Sequence, residues 1–317
     1  PEEFMWRMKG DSYMSIMERG GGIINTVRAT REASFDELKE KAEWYIDVMS
    51  RMGVTTVEGK SGYGLDKTTE LKQLEVMKAI NEDPMRKVDI ATTFLGAHAV
   101  PTEYKGREDE YIDFLIEEMM PLIQEKGLAE HCDIFCEKGV FTVEQSRRLL
   151  QAAKERGFGV KIHADEIVSF GGAELAGELQ ALSADHLLHA SDTGIQAMAE
   201  NHVVATLLPL TAFTLREPYA RGREMIDRGC AVALATDLNP GSCCSGSIPL
   251  TFALACIYMN LSVEEAITAM TLNGAAAIGR ADRIGSIEVG KQGDLVVLDA
   301  DTPAILPYYT GMNAVRN

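Results

Sequence analysis

The sequence has 317 residues, of which 46% are hydrophobic and 25% are charged, enough material for a large core in one or two domains. A net charge of −17 excludes the basic surface that nucleic-acid binding requires, so no nucleic-acid partner is expected. No apolar run approaches the length of a transmembrane helix and the opening residues PEEFMWRMKG do not resemble a signal peptide, so no membrane partner is expected either.

Short runs rich in β-branched residues recur along the chain and predict seven strands. In chain order the runs are GVTTVEGK (53–60), DIATTFLGAH (89–98), CDIFCE (132–137), GVKIHAD (159–165), ADHLLHA (184–190), HVVATLLP (202–209) and AVALATD (231–237). The strands are nearly continuous in apolar character, which is typical of a parallel sheet covered by helices on its faces.

Segments with helical spacing lie between these strands. Residues 34–52 and 142–157 are two examples, and each opens on a capping residue: Ser34 is followed by Glu37, and Thr142 by Glu144. Alternation of strand and helix predicts an α/β fold, and we favour a (β/α)₈ TIM-like barrel. A doubly wound open sheet is the alternative, but no phosphate-binding glycine motif is present. We interpret Gly20–Gly22 as a helix end and tight turn.

The C-terminal residues differ in character from the rest. Residues 285–305 (GSIEVGKQGDLVVLDADTPAI) contain short β-prone runs separated by Gly-Lys and Gly-Asp turns, without a helical segment between them. We therefore predict a barrel domain over residues 1–283 and part of a small β domain over residues 284–317.

Polar residues collect where the predicted strands end: Tyr63, His98, Glu137, His163, His186 and Asp237. In a parallel barrel these ends share one face, where active sites lie. Imidazole and carboxylate groups suit Zn²⁺ or Fe²⁺, so His163, His186 and Asp237 are candidate ligands. Either Asp165 or Glu166 could move a proton or bind substrate. By strand alternation Asp185 should point away from the pocket.

The cysteines do not predict a metal site. Cys132 and Cys136 share a strand face with Ile134 and are expected in the core, and the adjacent pair Cys243 and Cys244 would make a poor chelate. Six scattered cysteines indicate reduced thiols, as expected in the cytoplasm. Nor is a serine nucleophile predicted, since no G-x-S-x-G motif is present and nothing pairs Ser61 with a base.

Several motifs together resemble the amidohydrolase superfamily: KIHADE (161–166), SADHL (183–187), ALATDLNPGS (233–242) and residues 271–299. Within it, GGGI (20–23), KSGYGL (60–65), FLGAHAVP (94–101), DIFCEKGVF (133–141) and HADE (163–166) resemble the imidazolonepropionase family. The likeness covers almost the whole chain. It implies an amidohydrolase barrel with a small β-sandwich domain and hydrolysis of 4-imidazolone-5-propanoate to N-formimidoyl-L-glutamate in histidine degradation.

The resemblance also implies roles for individual residues. His163 and Asp237 match metal ligands for one divalent ion, zinc or iron. Tyr63, His98 and Glu166 match substrate contacts, and His186 a residue that transfers protons together with Glu166 and Asp237. Asn239, Gly241 and Ser242 match a loop that holds the propionate. The expected partners are the small-molecule substrate and a second copy of the chain in a homodimer.

One departure from the family pattern affects the expected activity. The family's first strand carries a His-x-His pair that supplies two further ligands, and this sequence has no H-x-H. We therefore expect an internal fragment that binds metal weakly by itself. The alternatives are another amidohydrolase, such as a purine or pyrimidine deaminase, and an inactive, metal-free barrel fragment.

Overall fold

The protein is described by a computed structural model that covers residues 2–10 and 21–316. Its centre is a seven-stranded sheet in which the strands follow one another in chain order. Every neighbouring pair is parallel. The strands are β1 (Thr56–Lys60), β2 (Asp89–Ala97), β3 (His131–Cys136), β4 (Gly159–Ala164), β5 (Ser183–His186), β6 (Val204–Leu207) and β7 (Val232–Leu234). The seven predicted strands and the α/β barrel class are confirmed.

Helices connect the strands. Before β1 lie Glu2–Met8, Ile23–Glu32 and Phe35–Ser50; between the strands lie Lys67–Glu82, Glu108–Phe114, Met120–Lys126, Val143–Glu155, Gly172–Leu179, Asp192–Glu200, Pro209–Leu215 and Gly222–Asp227. Thr102–Tyr104 is a 3₁₀ turn and Leu115–Met119 a π-helical turn. After β7 come Ile248–Tyr258, Val263–Met270, Leu272–Ala277 and Ile305–Tyr308. None of the described helices is both long and apolar enough to cross a bilayer.

The predicted caps begin their helices. Ser34 and Glu37 form a reciprocal capping box, as the sequence predicts. Thr142 caps its helix as well, but its capping-box partner is Gln145, while Glu144 lies in the first turn. Gly22 begins a helix at a backbone φ of 74°, so the predicted helix end is wrong for this residue, whereas Gly20 lies outside the described residues.

Alternation along the strands separates two environments. On β3, Cys132, Ile134 and Cys136 are fully buried in the hydrophobic core, which confirms the prediction for the two cysteines. The intervening side chains belong to the inner face of the sheet, where His131 and Asp133 are buried with polar partners. The sheet therefore has an apolar side packed on helices and an inner side that carries charge.

The described sheet is an arc. Pairing runs from β1 to β7, and within residues 2–10 and 21–316 no strand pairing joins β7 to β1. Because all seven strands are parallel and in sequence order, their carboxyl ends lie on one face of the arc.

The C-terminal residues 284–316 form little regular structure. An isolated antiparallel bridge joins Leu298 to Val315, so the predicted series of short strands is not seen in this range. Asn313 donates its side-chain N–H to the carbonyl of Arg51, which ties this segment to the loop before β1. Ile287 and Val289 are exposed. The division into a barrel and a small β domain stays a prediction.

Candidate active site

A cavity of ≈ 2080 Å³ lies inside the arc and reaches the carboxyl ends of the strands. It is larger than an ordinary ligand pocket of about 300–1,000 Å³, because its lining extends from the strand ends through the interior of the arc. Glu137 and Asp165 do not line it, whereas its lining includes the nine residues to which the resemblance assigns roles: Tyr63, His98, His163, Glu166, His186, Asp237, Asn239, Gly241 and Ser242. The shared location does not by itself assign a role to any of them.

Four of these rings form a row along the strand ends. The ring centroids of Tyr63 and His98 are 5.0 Å apart, those of His98 and His163 are 6.1 Å apart, and those of His163 and His186 are 5.2 Å apart. Neighbouring parallel strands bring these side chains together although they are up to 123 positions apart in the sequence. The row gives the cavity a wall of aromatic and imidazole groups.

His163 lies at the end of β4 and is almost fully buried. Its Nδ1 is 3.0 Å from Asp133 Oδ2, close enough for an ion pair, although none of the described residues makes a well-aligned hydrogen bond to this nitrogen. Burial opposes the charged form of the ring, yet the negative charge of Asp133 outweighs it and raises the pKa of His163 to about 9.

Asp133 is a residue that the sequence analysis missed. It lies between Cys132 and Ile134, whose side chains, with that of Cys136, form the core-facing side of β3. Strand alternation could have identified it, because Asp133 lies between Cys132 and Ile134 and therefore faces the opposite, inner side of the sheet. Burial opposes its ionisation, but the charges of His163 and Lys60 lower the pKa of Asp133.

Asp185 also faces inward, which corrects the prediction that it points away from the pocket. Its carboxylate lies 3.2 Å from Lys60 Nζ and accepts a hydrogen bond from Ser183 Oγ at 2.9 Å. The error came from counting alternation from His186, whose backbone φ of 76° departs from the extended conformation. The regular strand alternation therefore does not continue through His186, and His186 is a wrong reference for the direction of Asp185.

Glu166 and His186 form a pair in the lining of the cavity. His186 Nε2 lies 3.6 Å from Glu166 Oε2, and both side chains are largely buried. Burial raises the pKa of Glu166, although the charge of His186 acts against it. His186 Nδ1 is buried, and within residues 2–10 and 21–316 nothing hydrogen-bonds to it. Two titratable groups at this distance can share or pass a proton.

Asp165, the other acidic candidate beside His163, has a structural role. Its carboxylate accepts four backbone N–H groups of the loop and helix that follow, from Phe170, Gly171, Gly172 and Ala173. Since these bonds occupy both oxygens, Glu166 is the better candidate for proton transfer. Glu137, also among the strand-end residues, accepts the N–H groups of Lys138 and Ile167 and so anchors the loop beside Glu166.

Asp237 follows β7 and is partly buried. Its carboxylate accepts a hydrogen bond from Thr211 Oγ1 at 2.6 Å, and its backbone φ is 50°, in the left-handed region. Beyond it, Asn239 Oδ1 accepts the N–H groups of Gly241 and Ser242 at 2.9 and 2.7 Å, which folds the NPGS loop over the cavity.

Glu70 stabilises the loop that carries Tyr63 through hydrogen bonds. The carboxylate of this fully buried residue accepts the N–H groups of Gly62, Gly64 and Leu65. His98 Nδ1 contacts the carbonyl of Gly62 at 3.1 Å, and burial together with the charge of His163 lowers the pKa of His98 to about 4. Ser61 Oγ accepts the N–H of Leu95, in keeping with a structural serine.

The residues present fit a metal ion by their chemistry. Within the described part of the chain, Asp133, His163 and Asp185 place their ligand atoms within 4.8 Å of one another. Lys60 Nζ, however, lies 2.8 Å from Asp133 and 3.2 Å from Asp185, so an ammonium group already supplies positive charge there. His163 Nδ1 faces Asp133, so the donor that this ring would offer to a metal is Nε2, and no described residue hydrogen-bonds to the buried His186 Nδ1.

Comparison with known proteins adds the family. The model of the amidohydrolase family matches residues 19–317. Imidazolonepropionase from Phocaeicola vulgatus is 82% identical over 316 residues, which are 100% of this chain and 76% of that protein. The chain belongs to the amidohydrolase family and, within it, to the imidazolonepropionases. The imidazolonepropionase of Bacteroides thetaiotaomicron is 74% identical over 99% of this chain and 75% of its own length.

Solved structures share the fold of this amidohydrolase at low identity. An adenosine deaminase from Xanthomonas campestris with bound zinc superposes with a TM-score of 0.73 at 20% identity, over 96% of this chain and 72% of that one. A triazine hydrolase variant gives a TM-score of 0.74 at 17% identity, over 99% of this chain and 77% of the other. These likenesses support the barrel architecture alone.

Proposed function

We propose that this amidohydrolase opens the ring of 4-imidazolone-5-propanoate by hydrolysis and releases N-formimidoyl-L-glutamate, with one divalent metal ion, zinc or iron. The observation that carries the proposal is the 82% identity to an imidazolonepropionase along the whole chain. The cavity supports it, because every residue that the family resemblance selected lines that one space.

His163 and Asp237 would hold the metal, with an imidazole nitrogen and a carboxylate oxygen as donors. When bound, the ion supplies a Lewis acid and makes water more acidic. Thr211 orients Asp237 through the 2.6 Å hydrogen bond to one carboxylate oxygen, which leaves the other oxygen for a ligand.

His186 and Glu166 would move protons during ring opening. Burial raises the pKa of Glu166, which brings this carboxyl closer to the range in which it can both accept and return a proton. His186, 3.6 Å away, is the natural partner for that proton. We assign Glu166 a second role as a contact to the imidazolone ring.

Tyr63, His98 and the NPGS loop would bind the substrate. The low pKa of His98 keeps its ring neutral near pH 7, so it can accept or donate a hydrogen bond without adding charge. The N–H groups of Gly241 and Ser242, now bound to Asn239 Oδ1, are donors that suit the propionate carboxylate.

All six cysteines are free thiols, which supports a reducing compartment such as the cytoplasm. The homodimer stays a prediction, and light scattering during size-exclusion chromatography tests it.

The function can be tested in a chimera that joins this chain to the flanking segments of its Phocaeicola vulgatus relative. The chimera, loaded with zinc or iron, should hydrolyse imidazolone propionate, and the same chimera with His163→Ala should not. Guanine and cytosine serve as alternative substrates. Turnover of either base in preference to imidazolone propionate would replace the proposal with a deaminase.

A further inference from the structure

We propose that Asp133, held in place by Lys60, is a positioning residue that fixes the ring of His163 as a metal ligand. The inference rests on the proposed function, in which His163 binds the metal. It concerns two residues, Lys60 and Asp133, that stand in quoted motifs but to which the resemblance assigns no role.

The contacts of Asp133 show a carboxylate with both oxygens engaged. Asp133 is fully buried, and its Oδ1 accepts the backbone N–H of Ile134 at 2.7 Å. Its Oδ2 lies 2.8 Å from Lys60 Nζ and 3.0 Å from His163 Nδ1. The same oxygen thus links a fixed cation to the imidazole ring.

Lys60 is the centre of a wider network that keeps this carboxylate in place. Its ammonium contacts Glu58 at 2.7 Å and Asp185 at 3.2 Å in addition to Asp133. Lys161, fully buried on β4, lies 3.4 Å from Glu58 and donates to the carbonyl of Ala277. Two ammonium groups and three carboxylates from β1, β3, β4 and β5 therefore compensate one another inside the arc.

The two nitrogens of His163 have different surroundings and therefore different roles in the proposal. Nδ1 faces Asp133, so the ring presents Nε2 as its other donor atom. A carboxylate behind a metal-binding imidazole orients the ring, fixes its tautomer and increases its basicity. No other acidic group among the described residues lies within ion-pair distance of His163.

A competing arrangement would place the metal directly among Asp133, His163 and Asp185. Lys60 disfavours it, because its ammonium lies within 3.2 Å of both carboxylates. A second cation at that point would have to expel a buried charge that is already paired.

Asp185 provides a matched control. It contacts Lys60 as Asp133 does, and it is also buried, but it makes no ion pair with His163. We would measure the zinc dissociation constant of the chimera by competition with a chromophoric chelator, together with the melting temperature, for Asp133→Asn and Asp185→Asn. If Asp133→Asn does not fold, Asp133→Glu replaces it, since a longer carboxylate keeps the charge and displaces the contact.

The positioning role predicts a zinc dissociation constant raised by about 10–100-fold in Asp133→Asn and nearly unchanged in Asp185→Asn. An equal loss of zinc in both variants would indicate direct ligation and overturn the inference, as would unchanged affinity in both. Zinc binding by the unmodified chimera without turnover of imidazolone propionate would instead refute the proposed function and leave the positioning role standing.

Discussion

The imidazole of His186 lies 3.6 Å from the carboxylate of Glu166 at the edge of the cavity, on the strand next to His163. The distance is too long for a formed hydrogen bond and short enough to become one when a substrate or water enters. Under the proposed function this pair would transfer protons without binding the metal, because neither residue belongs to the group of Asp133, His163 and Asp185.

We expect His186→Asn to keep the metal and to lower kcat by about 10²–10⁴-fold, the usual contribution of a general acid or base. Metal analysis and steady-state kinetics on the chimera measure the two effects separately. His189→Asn is the control, since His189 follows in the same loop and does not line the cavity. Loss of metal in His186→Asn would make His186 a ligand and the role assignment wrong.

His163→Ala and Asp237→Ala should each reduce bound metal well below about one ion per chain, because a catalytic site with few protein ligands cannot spare one. Elemental analysis of the purified chimera measures this directly. The exposed residue Asp301 provides the control variant Asp301→Ala, which should bind as much metal as the parent. Stoichiometric metal in either site variant would refute the ligand assignment for that residue.

Glu70→Ala should destabilise the protein and weaken substrate binding. The substitution leaves the buried N–H groups of Gly62, Gly64 and Leu65 without an acceptor, and even one such group costs about 1–3 kcal/mol. Chemical denaturation measures the free energy of unfolding, and KM reports the displaced loop around Tyr63. Glu75→Ala, on the same helix, removes an exposed ion pair with Lys126 and should cost about 1 kcal/mol or less. Equal effects would contradict the role of Glu70.

Thiol reagents should distinguish the cysteines. Cys244 is exposed, whereas Cys132 and Cys136 are fully buried, and burial raises the pKa of both buried thiols. A maleimide added to the native protein should modify Cys244 within minutes and leave the pair on β3 unmodified until the protein unfolds. Mass spectrometry of peptides identifies the labelled positions. Rapid labelling of Cys132 in the folded protein would show that the packing of β3 against its helices is described wrongly.

The strands were predictable from the sequence because a buried parallel strand is a short run of apolar, β-branched residues that can be recognised without its neighbours. They also predicted Ser34 and Thr142 as helix caps, since capping depends on a few adjacent residues. The inward direction of Asp185 was missed because the left-handed backbone of His186 interrupts the alternation from which it was judged.

The charged interior was hidden for a different reason. Lys60, Asp133 and Asp185 come from three strands, and only their assembly shows that each compensates the others. The strands predicted after residue 284 also depend on residues elsewhere in the fold, since a strand forms only where another strand can pair with it. Residues with high strand propensity, such as Val296 and Val297, are exposed and lie outside the seven-stranded sheet, because propensity alone does not supply a neighbouring strand.

The central claim, that this chain provides the active site of an imidazolone-opening hydrolase, is tested most directly by the rate of 4-imidazolone-5-propanoate hydrolysis in the metal-loaded chimera. We predict robust turnover that Asp237→Ala abolishes and Asp301→Ala leaves unchanged. A folded chimera that binds its metal and yet fails to hydrolyse imidazolone propionate, or one whose rate survives Asp237→Ala, would contradict the account.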